Sequence, residues 1–194
     1  MADAASPSLD VGPPPFPGDG AKRRMIDEML RVDHAGEFGA VQIYRGQRAV
    51  FSRARGKERI SGLLQEMEAG EQHHLTTFDR LLAERGVRPT LLSPLWRAAG
   101  YTLGAGTALM GEKAAHACTA AVEEVIEEHY AAQAERLKDQ EPALAALVEQ
   151  FRAEEIAHKD TAVAEGAKDA PGYGLFSAVI KAGCRAAIRI SEKI

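Results

Sequence analysis

Two segments of the chain each place a glutamate and a histidine three residues apart. Glu71 and His74 stand in "EQHHLTTF", and Glu155 and His158 stand in "EEIAHKD". Residues three apart share one helix face, so both side chains of a pair can reach a common ligand. His73 points about 100° away from His74 around such a helix, and we predict a position for it at the surface or beside the site.

The faces that carry these pairs are otherwise apolar. At helical spacing the neighbours are Ile60, Leu64, Met67, Phe78 and Leu81 in one helix and Leu144, Val148, Phe151 and Ala162 in the other. An ionised group on a buried face destabilises a protein by several kcal/mol unless it is paired or binds a metal. Two such interruptions with the same spacing therefore require a shared explanation.

A further glutamate precedes each pair at a similar distance. Glu37 lies 34 residues before Glu71, in the preceding helix. Glu123 lies 32 residues before Glu155 in the same way. In an antiparallel hairpin with a short turn, these separations bring the two carboxylates to one level. Two hairpins stacked face to face collect four carboxylates and two imidazoles, the pattern of helical bundles that bind two iron or manganese ions.

Neighbouring polar residues leave the choice of ligands in the first and third helices open. Asp33 and His34 lie one turn before Glu37 and compete with it. In the third helix the stripe at helical spacing favours Glu123, with Glu127 as the next candidate.

The other polar residues of the third helix are assigned by the same periodicity. Glu124 and Glu128 are predicted to form a solvated face, and His129 turns away from the stripe that carries Glu123. Tyr130, two turns beyond Glu123, is predicted to lie near the site. It is there either as a packed core residue or as a residue acting beside the ligands.

Helix-breaking residues divide the chain into the elements that must position these groups. They predict four long helices near residues 22–54, 57–85, 107–138 and 142–168, with extra helical segments at 93–106 and 174–192. Helices of this length favour a bundle. We therefore predict an all-α protein with one domain over residues 22–194. Its parts are a first hairpin at 22–85, a crossover at 86–106, a second hairpin at 107–168 and a C-terminal amphipathic helix at 174–192.

Composition excludes several classes of protein. The net charge of −4 argues against binding nucleic acid. Cys118 and Cys184 are too few for a disulfide framework, and we interpret both as buried structural thiols in a reduced compartment. Residues 1–21 are rich in proline and glycine and lack a long apolar run, so we predict a disordered lead-in that is neither a signal peptide nor a transit peptide.

Two segments suggest a membrane surface. Residues 91–111 carry one charge, Arg97, and are long enough to span a bilayer. Pro94 and four glycines instead predict a broken helix in the interface, with Trp96 and Tyr101 at headgroup level. The alternative is a crossover connection that packs on the bundle.

The C-terminal segment has basic residues at a spacing of four, opposite apolar ones. The basic residues are Lys181, Arg185, Arg189 and Lys193. A basic amphipathic helix commonly lies on anionic lipid. The alternative is an ordinary fifth helix with a solvated basic side.

Several segments resemble the demethoxyubiquinone hydroxylase family of ubiquinone biosynthesis. They are "RVDHAGEFGAVQIYRGQ" (31–47), "EMEAGEQHHLTTFDRLL" (66–82), "ACTAAVEEVIEEHY" (117–130), "FRAEEIAHKD" (151–160) and "AGCRAAIRISEKI" (182–194). The resemblance implies a ferritin-like four-helix bundle and a monooxygenase that hydroxylates the ring of a demethoxyubiquinol with O2. It also implies two Fe ions per chain. The ligand set that it implies is Glu37, Glu71, His74, Glu123, Glu155 and His158.

The resemblance also implies partners and a location. A polyprenylated quinol is insoluble in water, so we expect a peripheral protein on the cytoplasmic side of a bacterial inner membrane. The electron donor, NADH or a reductase, stays open because no glycine-rich dinucleotide fingerprint is present. A homo-oligomer or a complex of ubiquinone biosynthesis also stays open.

Two other functions compete with the hydroxylase. The first is a ferritin-like iron-binding protein or ferroxidase, which gives no role to the apolar segment and the basic terminal helix. The second is a non-catalytic membrane scaffold, which gives no role to the four glutamates.

Overall fold

The computed structural model describes residues 19–193, and every regular element in that range is helical. The helices are α1 (Asp19–Phe51), α2 (Glu58–Arg85), α3 (Ser93–Leu109), α4 (Glu112–Leu137), α5 (Pro142–Ala164) and α6 (Tyr173–Ser191), with a 3-10 turn at Ala167–Asp169. The all-α prediction is confirmed. The first helix begins at Asp19, inside the predicted lead-in, whose residues 1–18 lie outside the described part of the chain.

Glycines in the left-handed backbone region explain two differences from the predicted boundaries. Gly111, with φ of 116°, separates α3 from α4, so the helix that was predicted from residue 107 begins at Glu112. Gly166, with φ of 90°, follows α5, which ends at Ala164 rather than at residue 168. Glycine adopts these angles without the steric cost that other residues incur.

The four longest helices surround the molecule's centre in two adjacent pairs. α1 packs against α2, and α4 packs against α5. α1 and α2 run antiparallel, because His34 contacts Asp79 near one end while Arg45 contacts Glu68 farther along. Apolar side chains from α1, α2, α4 and α5 meet in one core cluster, which includes Leu30, Phe78, Tyr130 and Phe151.

Helix α3 is continuous, so the prediction of a broken helix is wrong. Pro94 lies in its first turn, where a missing N–H is tolerated. Gly100 and Gly104 face α1, and a Cβ added at Gly104 would clash with the backbone carbonyl of Ile43. The glycines therefore allow two helix backbones to approach closely rather than interrupting α3.

Helix α6 packs mainly on α4 and exposes apolar side chains to solvent. Lys181 pairs with Glu124 at 2.9 Å, and Arg185 pairs with Glu128 at 2.8 Å. Glu128 is exposed, in agreement with the predicted solvated face, whereas Glu124 is only partly exposed; both glutamates pair with the basic side of α6. None of the helices within residues 19–193 is long and apolar enough to cross a membrane.

The close contact between α1 and α3 predicts opposite effects of two similar substitutions. Gly104→Ala should lower the free energy of unfolding by about 1–3 kcal/mol, because its methyl group overpacks the contact. Gly106→Ala, on the same helix with no atom within 4 Å of its Cβ, should raise it by about 0.5–1 kcal/mol. Chemical denaturation of both variants measures the difference, and equal stabilities would contradict this account of α3.

Candidate metal centre

Six side chains from four helices meet in the middle of the molecule. α1 contributes Glu37, α4 contributes Glu123, and α2 and α5 each contribute one glutamate–histidine pair. The four carboxylates and His74 are buried, with at most 1% of each residue exposed. His158 is slightly more open, with 17% of its side chain exposed.

The ligand atoms form two overlapping groups. In each group one atom per residue lies within 4.8 Å of the others. The first group is Glu37, Glu71, His74 and Glu155, and the second is Glu71, Glu123, Glu155 and His158. Glu71 and Glu155 belong to both groups. Glu37 and Glu123 each belong to one group.

The two glutamate–histidine pairs cross between helices. His74 Nδ1 lies 3.0 Å from Glu155 Oε1, and His158 Nδ1 lies 2.9 Å from Glu71 Oε1. Each imidazole therefore faces the carboxylate of the other pair. The sequence spacing alone placed each histidine only beside the glutamate of its own helix.

Hydrogen bonding leaves the cluster unsatisfied, which is the observation that tests its fit to metal ions. Among residues 19–193, eight buried ligand atoms make no hydrogen bond: Glu37 Oε2, both oxygens of Glu71, Glu123 Oε2, both oxygens of Glu155, His74 Nδ1 and His158 Nδ1. Buried polar atoms in native proteins nearly always have a partner. Carboxylate oxygens and imidazole nitrogens are ligands that suit divalent iron or manganese, so the residues fit a pair of such ions.

Electrostatics leads to the same conclusion. Burial, together with the charges of Glu155, Glu123 and Glu37, raises the pKa of Glu71 well above its usual value. Burial also raises the pKa of Glu37 and of Glu123. Glu155 is the exception: burial raises its pKa, but the two imidazoles lower it below the usual value. Full ionisation of all four carboxylates in this dry core therefore requires added positive charge, which metal ions supply.

Two tyrosines bond to the carboxylates that belong to one group each. Tyr44 on α1 donates a 2.7 Å hydrogen bond to Glu123 on α4. Tyr130 on α4 donates a hydrogen bond to Glu37 on α1. Tyr130 was predicted to lie near the site, but Tyr44 was missed. The spacing could have found it, because Tyr44 follows Glu37 by the same two turns that separate Tyr130 from Glu123.

The outer side of His74 has a partner that the sequence did not identify. His74 Nε2 lies 2.7 Å from Glu154 Oε2, on α5. Carboxylates commonly hold the second nitrogen of metal-binding histidines and fix the ring orientation. Glu154 directly precedes Glu155, but its contact depends on how α5 is rotated against α2, which the local pattern does not encode.

The competing candidates have partners away from the six-residue cluster. They pair as Asp33 with His129 and Gln133, His34 with Asp79, and Glu127 with Lys159. None belongs to either ligand group within residues 19–193. His73 is exposed, in agreement with the predicted surface position.

Apolar residues close the cluster against water. The ring of Phe151 stacks on His74 with centroids 4.0 Å apart. Met67 and Leu64 are buried on α2, one and two turns before Glu71. A Cβ at Gly70 would lie 3.2 Å from His158 Cε1, so the absence of a side chain there makes room for the imidazole.

This arrangement defines a class of protein: a helical protein with a buried carboxylate–histidine cluster that suits metal ions. The chain belongs to the family of the ubiquinone biosynthesis protein COQ7, whose family model matches residues 24–191. The family resemblance predicted from the sequence is therefore confirmed.

Individual relatives extend over most of the chain. A 3-demethoxyubiquinol 3-hydroxylase from Rhodospirillum rubrum is 52% identical over 179 residues, covering 92% of this chain and 83% of the relative. A mitochondrial NADPH-dependent 3-demethoxyubiquinone 3-hydroxylase from Mus musculus is 45% identical, covering 90% and 81%. A mitochondrial 5-demethoxyubiquinone hydroxylase from Saccharomyces cerevisiae is 39% identical, covering 90% and 80%.

The overlap of the two groups predicts how metal content depends on each glutamate. Glu155→Ala should lose most of both ions because Glu155 belongs to both groups. Glu37→Ala should retain about one of the roughly two ions that this ligand pattern holds. Elemental analysis of purified, iron-loaded protein measures the ratio of iron to chain.

Glu66→Ala, which removes an exposed carboxylate of α2, is the matched control and should keep the wild-type iron content. Equal iron in Glu37→Ala, Glu155→Ala and wild type would contradict the ligand assignment.

Proposed function

We propose that this protein hydroxylates the ring of a demethoxyubiquinol with O2 as a step of ubiquinone biosynthesis. The observation that carries the proposal is the buried, unsatisfied cluster of four carboxylates and two imidazoles in a member of the COQ7 family. Relatives from bacteria and mitochondria that cover most of the chain are named as hydroxylases of this substrate class.

We further propose that the cluster holds two iron ions per chain. The residues that would hold them are Glu37, Glu71, His74, Glu123, Glu155 and His158, of which Glu71 and Glu155 belong to both groups of ligand atoms. When bound, the iron ions supply the reduction of O2 and the oxygen-transfer chemistry. The chain's own residues hold, orient and shield this site.

Hydrogen bonds from neighbouring residues orient the ligands. Tyr44 and Tyr130 donate to Glu123 and Glu37, so each of these carboxylates has one oxygen held by a phenol. Their second oxygens make no hydrogen bond within the described part of the chain and would be available to bind an ion. Burial raises the pKa of both phenols well above the usual value, so each remains a proton donor to its carboxylate near neutral pH.

An apolar cavity of about 410 Å³ lies between α1, α3, α4 and α6, and we propose that it receives the quinol. Its walls include Gly36 and Val122, the sequence neighbours of the ligands Glu37 and Glu123. The remaining lining is almost entirely aliphatic, with Trp96 at one side. The volume of this cavity and its aliphatic lining match those of sites that bind small apolar molecules.

The wider arrangement is proposed as a single ferritin-like domain with two hairpin repeats, α1–α2 and α4–α5. Helices α3 and α6 are proposed to face a membrane. Large apolar side chains are exposed there, among them Leu95 and Leu109 on α3 and Leu175 and Val179 on α6. We propose peripheral attachment to the cytoplasmic side of a bacterial inner membrane, where a polyprenylated quinol would be collected.

The electron donor is proposed from the relatives. The mouse and human relatives carry NADPH in their names, so a reduced nicotinamide dinucleotide is the donor to test first. A homo-oligomer or a complex of ubiquinone biosynthesis remains a prediction.

Deletion of the gene tests the reaction directly. The strain should accumulate demethoxyubiquinone and lose ubiquinone, as measured by mass spectrometry of lipid extracts. Wild-type protein should restore ubiquinone, and Glu155→Ala should not. Normal ubiquinone in the deletion strain would refute the substrate. Fe(II) oxidation by purified protein that never hydroxylates added quinol would instead support the ferroxidase alternative.

Blocking the apolar cavity tests where the quinol binds. Ala187 lines the cavity, whereas the adjacent Ala186 is exposed and lies outside it. Ala187→Phe should lower the rate of quinol hydroxylation by roughly 10- to 200-fold, because the ring competes for the volume of the substrate. Ala186→Phe should leave the rate unchanged, and iron content should be normal in both variants. Equal rates in the two variants would place the quinol elsewhere.

A further inference from the structure

Helix α6 is thinly packed for an element that forms a wall of the apolar cavity. Only Ser177, Ile180 and Ser191 are buried among its 19 residues. Ile180 and Ser191 line the cavity, together with half-buried residues such as Ala187 and Ile188. The apolar attachment of α6 rests on Ile180 and on the half-buried Phe176 and Cys184, which pack against the core cluster. Trp96 Nε1 on α3 donates a 3.1 Å hydrogen bond to Ser191 Oγ, and polar contacts with α4 add to this small contact.

Two ion pairs fasten α6 to α4. Lys181 Nζ lies 2.9 Å from Glu124 Oε1, with side chains 22% and 36% exposed. Arg185 Nη2 lies 2.8 Å from Glu128 Oε2, with side chains 45% and 55% exposed. The first pair is partly buried and the second is exposed, and ion pairs that remain in contact with solvent are weakened by salt. Another anion at the surface can therefore compete for either cation.

The outer surface of α6 fits an anionic bilayer. Lys181, Arg185 and Arg189 follow one another at four-residue intervals and form a single stripe. Leu175, Val179 and Ile190 are exposed on the neighbouring side of the helix. A cationic stripe beside an exposed apolar one is the pattern of helices that lie in the headgroup region of anionic membranes.

We propose that α6 exchanges its partners when the protein reaches an anionic membrane. Lys181 and Arg185 leave Glu124 and Glu128 for lipid phosphates, and α6 moves away from α4, opening the apolar cavity to the bilayer. Repulsion between the anionic surface and the two released carboxylates favours the same movement. The inference rests on the proposed function, because it provides an entry for a substrate dissolved in lipid.

A distance between α6 and the opposite side of the bundle tests the exchange. Spin labels are placed at Ala186→Cys on α6 and Glu66→Cys on α2, both exposed positions, in the full, iron-loaded chain. Cys184 is replaced by Ala. Cys118 stays, since it is buried and burial raises the pKa of its thiol to about 12. Pulsed electron spin resonance is recorded with vesicles of phosphatidylglycerol and, separately, of phosphatidylcholine alone.

Phosphatidylglycerol should add a second population in which the labels are at a new distance, and phosphatidylcholine should not. Glu124→Gln/Glu128→Gln should show that population without lipid, because both ion pairs are lost. A variant with the charges exchanged, Glu124→Lys/Glu128→Lys/Lys181→Glu/Arg185→Glu, keeps the pairs but moves the cations to α4. It should keep the original distance with both lipids.

An unchanged distance in phosphatidylglycerol would overturn the proposal, whether or not co-sedimentation shows binding. A distance in Glu124→Gln/Glu128→Gln equal to that of the parent protein would also overturn it.

Quinol hydroxylation in the deletion strain separates the two proposals. Restored ubiquinone with an immobile α6 refutes only the exchange, whereas a mobile α6 without hydroxylation refutes only the function.

Discussion

Negative charge in a dry core is the constraint on which the rest of this structure depends. Four glutamates lie within a few ångströms of one another, and all are almost completely removed from water. Burial of unpaired charge destabilises a protein strongly, so these side chains must have a compensating ligand or remain partly protonated. Two observations reflect this uncompensated negative charge: several carboxylate oxygens make no hydrogen bond, and the pKa values of Glu37, Glu71 and Glu123 are raised.

The surrounding elements hold this unfavourable cluster in one arrangement. Two hydrogen bonds connect α1 and α4: Tyr44 on α1 donates to a glutamate of α4, and Tyr130 on α4 donates to a glutamate of α1. Glu154 on α5 contacts the histidine of α2. Phe151 covers the same imidazole from the other side. These contacts restrict the rotation of the four helices, so the ligand atoms stay grouped even though their charges repel. The shape of the site is therefore imposed by neighbours that are not themselves ligands.

Helices α3 and α6 lie outside this core and differ in how firmly they are attached. Backbone contact through Gly100 and Gly104 seats α3 closely on α1. α6 has few buried residues and is also held by two ion pairs to α4, one partly buried and one exposed. The apolar cavity lies between these two helices and the core. Under the proposed function, the closely seated α3 and the more loosely packed α6 would form the two outer walls of the quinol site.

The full set of six ligands, with Glu37 chosen over Asp33 and His34, came from the resemblance to the family. The residues by themselves determined the helical class, most helix bounds to within a few residues, and the two glutamate–histidine pairs. These follow from helical periodicity, from residue type and from glycine and proline, all of which act locally along the chain. The sharing of Glu71 and Glu155, the contact of Glu154 with His74, the close seating of α3 and the pairing of Lys181 with Glu124 were decided only by the tertiary structure. Each depends on the rotation and relative height of two helices. Those quantities arise from the packing of the whole core, and no single helix encodes them.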